Sequence, residues 1–174
     1  MLRRVVERRK VREVTQAAPV LDERGLALEA MLPEVLGAFE PELSAVSDLV
    51  VANVKAQDVF SVCRTAKDDP RLAFDFLLCL SVVDYGETLQ TVYHLYSTTK
   101  KHKMVLKADV SSDDPNMPSV TQVWLGADWF EREAHDLYGV FFEGHPNMAP
   151  LLLYDGFEGY PGRRDFPFHE YTEW

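Results

Sequence analysis

The chain has 174 residues, 47% of them hydrophobic, and this size and composition suit one domain with its own core. Its 28 acidic residues outnumber its 18 basic ones, and the resulting formal charge of -10 argues against binding to the phosphate backbone of DNA or RNA. The longest nearly apolar run, residues 77–83, is far shorter than the ~20 residues that a membrane-spanning helix needs.

The two cysteines limit the redox chemistry that the chain itself can carry. Cys63 and Cys79 are too few to form a disulfide framework or to supply the four thiolates that usually hold an iron-sulfur cluster. We expect both to be small residues of the core, because no basic side chain is clearly placed to activate either thiol. Redox chemistry associated with this chain is therefore expected in another chain.

Residues 1–20 differ in charge from the rest of the chain and are predicted to form a basic N-terminal arm. Against only two glutamates, the arm carries a group of basic residues: Arg3, Arg4, Arg8, Arg9, Lys10 and Arg12. Mitochondrial transit peptides are rich in serine and poor in acids, which does not describe this segment. We expect a solvated arm or a short contact to an acidic surface.

Residues 21–142 are predicted to form an α+β domain. Its first helix is opened by Asp22 or Glu23 and limited by Pro41, with apolar residues at helical spacing between them. A β-rich strand and an amphipathic helix follow, at residues 49–54 and 58–70.

The second half of this domain is predicted to be richer in strands. A helix at residues 71–79 is followed by three strands, which are joined in part by a hairpin turn at Tyr85-Gly86-Glu87. The strands are expected at residues 80–84, 89–97 and 104–110. The clearest alternation is in the second of them, where Leu89, Thr91, Tyr93 and Leu95 alternate with Gln90, Val92, His94 and Tyr96. After a turn-rich loop, a last helix is predicted at residues 119–138. This order of elements predicts a small, mostly antiparallel sheet with helices packed on it.

The pattern of regular elements stops at residue 143. Residues 143–174 contain four prolines, four glycines and seven aromatic residues, whereas disordered segments are poor in aromatic residues. We call this segment the strap, and we expect it to be extended and ordered against a surface, that of a partner protein. Within it, Arg163, Arg164 and Asp165 are candidate interface anchors or simply solvated charges.

The densest polar cluster, residues 129–139, lies in the last predicted helix. Glu131 and His135 share one face of that helix, as do Arg132 and Asp136, and this spacing suggests ion pairing. With His145, Glu131 and His135 also form a candidate set of ligands for a divalent metal. A Glu-xxx-His pair has no metal-specific spacing, so ion pairing is favoured over a metal site. A free-standing metal hydrolase remains an alternative of a different functional class.

Catalytic pairs of carboxylates can also be drawn from the sequence. The candidates are Glu131 with Asp136, and Asp155 with Asp165, but the sequence gives neither the separation of the carboxylates nor a shared cleft. No glycine-rich phosphate loop, nucleophile elbow or Cys-x-x-Cys spacing occurs in the sequence.

Residues 131–146, which read EREAHDLYGVFFEGHP, closely resemble the signature of the thirty-kilodalton subunit family of respiratory complex I, known in bacteria as the C subunit. That signature has Glu-Arg-Glu, then an acidic residue and two apolar residues, then His-Pro after a short gap. A structural role is implied for the residues that match it: Glu131, Arg132, Glu133, Asp136, Gly139, His145 and Pro146.

The resemblance continues to residue 167, and Trp124, Ala127 and Trp129 also fit it. The chain departs from the usual pattern where Ala149-Pro150 stands in place of a basic residue, and where Tyr160 and Gly162 replace His and Leu. The closing segment implies a set of residues at the interface with a partner: Phe157, Tyr160, Arg163, Arg164, Asp165, Phe166 and Pro167.

The resemblance implies a cofactor-free structural subunit, without catalytic residues of its own, in the peripheral arm of a proton-pumping NADH:quinone oxidoreductase. It would brace the quinone-reducing module against the forty-nine-kilodalton hydrogenase-like subunit, near the small iron-sulfur subunit and other peripheral-arm subunits. FMN, iron-sulfur clusters and quinone would be bound by those other subunits. The chain would meet the cytoplasmic face of the cell membrane only through the complex. An equivalent subunit of a related membrane-bound hydrogenase, or of a dehydrogenase complex with another electron donor, is the alternative.

Overall fold

The computed structural model describes residues 20–167, so the predicted arm and the end of the strap, residues 1–19 and 168–174, lie outside the described residues. Its helices are α1 (Glu23–Leu36), α2 (Val59–Asp68) and α3 (Ala127–Tyr138), with single 3-10 turns at Gly37–Phe39 and Ala56–Asp58. Its strands are β1 (Glu42–Val46), β2 (Leu49–Lys55), β3 (Phe76–Asp84), β4 (Thr88–Tyr96), β5 (Lys103–Ser111), β6 (Asn116–Pro118) and β7 (Phe141–Glu143).

Five strands form the main sheet in the order β1-β2-β5-β4-β3. In this sheet the second and third strands, β2 and β5, pair in parallel, and the other three pairs are antiparallel. The predicted α+β fold with a mostly antiparallel sheet is therefore confirmed. A second, two-stranded sheet pairs β6 with β7 in parallel and joins the end of the domain to the start of the strap.

The main core lies on one face of the sheet. The predicted alternation in β4 places Leu89, Tyr93 and Leu95 on this face, where none of them is exposed. Helices α1 and α2 cover the face, and α3 lies beside the edge strand β3. The opposite face carries a smaller cluster of strand residues: Val51, Val92 and Val105, with Leu49 packed against them.

The boundaries of the first helix agree with its sequence signals. The Asp22 side chain accepts a hydrogen bond from the Gly25 N–H at 2.7 Å and caps α1, as an aspartate at this position should. Within residues 20–167, no helix is long and apolar enough to cross a bilayer.

The helix predicted at residues 71–79 is wrong, because this stretch contains a turn and then the first half of β3. Ala73 adopts a positive φ of 47°, which ends any helical path after Pro70. The register of β3 against β4 shifts between Leu77 and Cys79, so the apolar residues do not alternate with a period of two. Without that alternation, a short apolar run does not distinguish strand from helix.

The last helix begins at Ala127 and not at residue 119 as predicted. Residues 120–126 form turns, in which the N–H groups of Val123 and Trp124 both bond to the Val120 carbonyl. The Trp124 indole donates to the Phe74 carbonyl at 3.0 Å and fixes these turns on the start of β3. The short strands β1, β6 and β7 were not predicted.

The signature helix and the strap as the candidate functional site

Helix α3 carries the family signature, and it buries acidic residues that would ordinarily face solvent. Glu131 is fully buried and Asp136 is 6% exposed. The helix ends at Gly139, which has a φ of 74° and donates its N–H to the His135 carbonyl at 2.8 Å. Charged side chains are rarely buried unless their oxygens find partners, so the partners of these two carboxylates define the site.

The Glu131 carboxylate holds the turns that precede α3. One oxygen accepts from the Ser119 hydroxyl and the other from the Val120 N–H, each at 2.7 Å. Burial raises the pKa of Glu131 to about 7, although these two hydrogen bonds lower it, and the Asp128 carboxylate raises it further. Glu131 is thus a carboxylic group that titrates near neutral pH.

His145 brings the start of the strap into the same region. Its Nδ1 accepts from the Asn147 N–H at 3.0 Å, which leaves the proton of a neutral ring on Nε2, 3.3 Å from the Asp128 carbonyl. The same Nε2 lies 3.6 Å from Asp128 Oδ1 and 3.9 Å from Glu131 Oε2. His145 therefore ties the segment after β7 to the first turns of α3.

The residues of the metal alternative do not converge. His135 directs Nδ1 at the Val140 carbonyl at 3.0 Å, whereas His145 directs Nε2 at the start of α3. Among residues 20–167, no group of three His, Cys, Asp or Glu side chains is placed to hold a metal ion. The metal-hydrolase alternative has no ligand set in the described part of the chain.

The suggested carboxylate pairs do not share a cleft either. Glu131 bonds to residues that precede α3, whereas Asp136 bonds to residues of the strap. Asp155 and Asp165 are exposed positions of the strap.

Arg132 and Asp136, one turn apart on α3, bind the backbone of one short segment of the strap. The Arg132 guanidinium donates to the carbonyl oxygens of Ala149 and Pro150, each at 2.8 Å. Asp136 Oδ2 accepts from three successive N–H groups, at 2.8, 2.7 and 3.2 Å, those of Leu151, Leu152 and Leu153. We call this arrangement the clamp. The signature charges thus bind main-chain dipoles, and the ion pairing that the i, i+4 spacing suggested for Arg132 and Asp136 does not occur within residues 20–167.

The clamp also determines the charge state of Asp136. Burial raises the pKa of this carboxyl, but the three N–H groups of residues 151–153 and the neighbouring His135 outweigh burial. The net pKa lies below the usual value, so Asp136 stays ionised while it holds the strap.

Glu133, the remaining charge of the signature triplet, points to the surface next to β3. Burial raises the pKa of the Cys79 thiol, and the Glu133 carboxylate raises it further. Burial likewise raises the pKa of Cys63, which is fully buried in the core as expected. Cys79 is only half-buried.

The strap returns to the C-terminal end of α3 at residues 160–163. The Tyr160 ring lies against Gly139, and the Gly162 N–H donates to the Leu137 carbonyl at 2.8 Å. A Cβ at Gly162 would come within 2.9 Å of both that carbonyl oxygen and the Tyr138 ring. Two of the departures from the family pattern, Tyr160 and Gly162, thus lie in this contact.

Arg163 anchors the strap by two hydrogen bonds. Its Nε donates to the Tyr138 carbonyl at 2.7 Å and its Nη1 to the Ser112 carbonyl at 3.1 Å. A cation at the last carbonyls of a helix is also favoured by the helix dipole. The guanidinium carbon lies 4.9 Å from the centre of the Tyr160 ring, a cation–π contact.

Arg164 makes a different contact, through its backbone. Its N–H donates to Asp84 Oδ2 at 2.8 Å, at the end of β3, and this bond is the main reason that the pKa of Asp84 is lowered. Neither Asp84 nor Ser112 was predicted from the sequence to hold the strap. The Asp-Tyr-Gly turn signal marks Asp84 as a turn residue, and its other oxygen does accept from the Gly86 N–H.

The remaining predicted interface residues lie together in the strap. Phe157 and Phe166 stack with their ring centres 6.0 Å apart, and Tyr154 contacts Phe157 edge-on at 5.4 Å. Asp165 and Pro167 are exposed. Tyr160, Arg163, Phe157 and Phe166 thus contact their own chain, and the outward side of the strap presents Leu152, Tyr154, Arg164, Asp165 and Pro167.

Several relatives match most of this chain. The C subunit, copy 2, of NADH-quinone oxidoreductase from Rhizobium meliloti is 41% identical over 154 residues, which cover 87% of this chain and 84% of the relative. The C subunit of the same oxidoreductase from Cupriavidus pinatubonensis is 41% identical, over 84% of this chain and 78% of the relative. Its counterpart from Chloroherpeton thalassium is 44% identical over 72% of this chain, but the match covers 56% of that longer relative.

Two solved structures have the same fold. A trypsin-resistant fragment of Nqo5 is 25% identical, with a TM-score of 0.59, and the match covers 69% of this chain and 98% of the fragment. A chain of the membrane-bound sulfane sulfur reductase, an archaeal respiratory membrane complex, is 26% identical with a TM-score of 0.71, over 83% of this chain and 86% of the other. The sequence profile of one family, described as "Respiratory-chain NADH dehydrogenase, 30 Kd subunit", matches residues 52–172. The resemblance of the signature is confirmed, and the chain belongs to this family of respiratory-chain NADH dehydrogenase subunits.

Proposed function

We propose that this chain is a cofactor-free structural subunit in the peripheral arm of a proton-pumping NADH:quinone oxidoreductase. In this role it braces the quinone-reducing module against the forty-nine-kilodalton hydrogenase-like subunit, and its position is near the small iron-sulfur subunit. FMN, iron-sulfur clusters and quinone belong to the other subunits. The peripheral arm lies at the cytoplasmic face of the cell membrane, and the chain meets that membrane only through the complex.

The observation that carries this proposal is the clamp. Arg132 and Asp136 bind polar groups of five successive strap residues, so these signature charges position a protein segment. Few of their donor and acceptor atoms remain free to bind a substrate. A held segment with exposed side chains is suited to contact another protein, and Leu152 and Tyr154 are 59% and 72% exposed. The names of the relatives, subunits of NADH-quinone oxidoreductase, support the identity of the complex.

A pull-down of the full chain tests this proposal. The tagged chain is recovered from its native membranes in mild detergent, the bound proteins are identified by mass spectrometry, and quinone reduction by NADH is assayed. We expect the hydrogenase-like and small iron-sulfur subunits together with NADH-dependent activity. Recovery of the chain alone would contradict the proposal.

A variant of the outward side of the strap makes the test specific. Arg164→Glu with Asp165→Arg exchanges two exposed charges and keeps the backbone bond from residue 164 to Asp84. The Arg164 charge helps to lower the pKa of Asp84, so Arg164→Glu places like charges together and should lower the melting temperature slightly. We expect a much larger loss in the recovery of partner subunits, because charge mismatch weakens an interface. Lys100→Glu, an exposed charge change between β4 and β5, is the matched control and should leave recovery unchanged.

A second candidate is the equivalent subunit of a related membrane-bound complex with another electron donor, such as a hydrogenase. The similarity to a chain of the archaeal sulfane sulfur reductase supports this candidate, since that complex is also respiratory and membrane-bound. Hydrogenase activity, or reduction with another donor, in the same pull-down would select this candidate.

A further inference from the structure

Helix α3 and the start of β3 carry an apolar surface that faces away from the core. Leu125, just before the helix, is 90% exposed, and Trp129 in its first turn is 68% exposed. Phe76, the first residue of β3, is 52% exposed and lines the same groove as Leu125. We call these three residues, with Glu133, the Trp129 face.

The backbone around the Trp129 face is fixed, although the side chains are exposed. The neighbouring Trp124 is 5% exposed, and its indole bonds to the Phe74 carbonyl two residues before Phe76. The Leu125 carbonyl accepts from the Asp128 N–H at 3.3 Å, at the entry to α3. When a partner covers tryptophan and leucine side chains on a fixed backbone, only the side chains are ordered and no backbone freedom is lost.

Glu133 gives this surface a charge. It lies four residues after Trp129 and therefore on the same side of α3. Glu133 is exposed, and within residues 20–167 its carboxylate makes no hydrogen bond and no ion pair. The preceding Arg132 is no partner for it, because that guanidinium is bound to the strap carbonyls.

We propose that the Trp129 face is a docking surface for a neighbouring subunit of the complex, which presents an apolar pocket flanked by an arginine or lysine. The pocket takes the Trp129 ring, with Leu125 and Phe76 beside it, and the cation pairs with Glu133. Large exposed apolar patches mark interaction sites, and tryptophan is enriched among the residues that dominate binding energy. The inference rests on the proposed function, since it assigns one docking surface within the same complex.

Charge argues against two other occupants of the Trp129 face. A second copy would bring a chain of net charge -10 against another of the same charge. Residues 168–174 contain three aromatic side chains, but they also contain Glu170 and Glu173 and neither lysine nor arginine. They would place negative charge beside Glu133.

Photo-crosslinking in the intact complex identifies the occupant. Trp129 is replaced by a photoreactive phenylalanine analogue in the full chain, the purified complex is irradiated, and the linked peptides are sequenced. We expect a crosslink to another subunit, at an apolar segment that includes arginine or lysine. The same analogue at Tyr85, which is 60% exposed between β3 and β4, is the matched control and should not give that crosslink.

Competition between tagged chains measures the contribution of each side chain. Wild-type and variant chains with different tags are expressed together, and their ratio in the purified complex is compared with their ratio in the cell. Trp129→Ala should reduce incorporation by about 30-fold, the effect of losing a dominant contact. Leu125→Ala should reduce it more than Leu26→Ala, the same change at a 55% exposed leucine of α1.

Salt dependence separates the charge contribution from the apolar one. Incorporation of Glu133→Lys should be low at low ionic strength and should recover in part at high salt, because an exposed pair is screened. The Trp129→Ala deficit should not recover. Equal incorporation of Trp129→Ala and wild type, with both chains folded by circular dichroism, would overturn the proposal, as would crosslinks confined to this chain itself. Failure of the wild-type chain to join any complex would instead contradict the proposed function.

Discussion

The Tyr160 ring occupies the space that a side chain at position 139 would need. A Cβ built on Gly139 would lie 2.5 Å from Tyr160 Cζ, far inside van der Waals contact. Gly139 also has a φ of 74°, a backbone conformation that is strained for residues other than glycine. The glycine that ends α3 therefore has two separate roles. It caps the helix, and it leaves room for the Tyr160 ring of the strap.

Gly139→Ala should destabilise the chain through both effects. The left-handed backbone alone costs an alanine about 1 kcal/mol relative to glycine, and displacement of the Tyr160 ring adds to this cost. We expect a clear fall in the free energy of unfolding, measured by chemical denaturation of the full chain. Gly126→Ala is the matched control, since its Cβ would meet no atom within 4 Å and its φ of -65° suits alanine.

A double variant separates the two effects of Gly139→Ala. If the ring contact contributes, Gly139→Ala should cost less in a Tyr160→Ala background than in the wild type, because the clash is then absent. Equal costs in the two backgrounds would show that Tyr160 does not lie on Gly139.

The clamp predicts unequal effects for its two charged residues. Asp136→Ala removes the acceptor of three N–H groups at a nearly buried site and should cost about 2 to 3 kcal/mol. Arg132→Ala removes two bonds at the surface, where water replaces the guanidinium, and should cost about 1 kcal/mol. Hydrogen exchange should show loss of protection at Leu151 and Leu152 in Asp136→Ala. Unchanged protection there would contradict the clamp.

Local signals in the sequence were enough to predict most strands of the main sheet and the helices packed on it. Alternation in β4 indicated its extent and which residues share a face, and Asp22 marked the start of α1. The same signals failed in β3, because the register shift near Leu77 removes the alternation. They also carry no information on sheet order, so the parallel pairing of β2 with β5 across two intervening strands was not predictable.

The candidate site was predictable in its members but not in their contacts. The signature identified Arg132 and Asp136, whose spacing suggested a pair on one helix face. Each instead binds backbone atoms of residues 149–153, and a backbone partner leaves no signal in side-chain spacing. For the same reason, the contacts of Arg163 with the carbonyls of Tyr138 and Ser112 could not be read from sequence.

Glu131 should give the stability of the chain a measurable dependence on pH. Its pKa is raised from 4.5 to about 7 in the folded chain, so the folded state holds a proton that the unfolded state has lost. The stabilisation is present in full below about pH 4.5 and is lost as the pH rises to about 7, and it is on the order of 3 kcal/mol. Denaturation of the full chain between pH 5 and 7.5, about the range of this titration, should show decreasing stability.

Glu131→Gln is the control for this decrease in stability with rising pH. Glutamine keeps the size of the side chain and an oxygen that can accept from the Val120 N–H, but it does not titrate. The variant should therefore lose most of the pH dependence. If stability decreases equally with pH in the variant and in the wild type, other groups are responsible for the pH dependence.

Asp136 should also make the stability of the chain depend on pH, but its contribution should increase as the pH rises and should act at lower pH than that of Glu131. Its pKa lies below its usual value of 3.8 because the strap N–H groups outweigh burial, so its stabilisation is present above about pH 4. This contribution is lost as the pH falls through the lowered pKa. Asp136→Asn should reduce the loss of stability between about pH 4 and 2, and an unchanged acid transition would contradict an ionised Asp136 in the clamp.

Two neighbouring arginines in the strap should differ sharply in their effect on its attachment. The Arg163 side chain donates to the Tyr138 and Ser112 carbonyls, whereas Arg164 hydrogen-bonds to Asp84 through its backbone N–H. Arg163→Ala should therefore release residues 160–167 and expose them to protease, and Arg163→Lys should restore protection only in part, because an ammonium group cannot reproduce the planar fork. Arg164→Ala keeps its backbone bond and should be cleaved at the wild-type rate. Since trypsin cleaves at the changed residues themselves and proline follows both Tyr160 and Phe166, cleavage is followed with chymotrypsin at Phe157, whose ring packs on Phe166. Equal cleavage of the two alanine variants would show that the Arg163 side chain does not hold the strap on the end of α3.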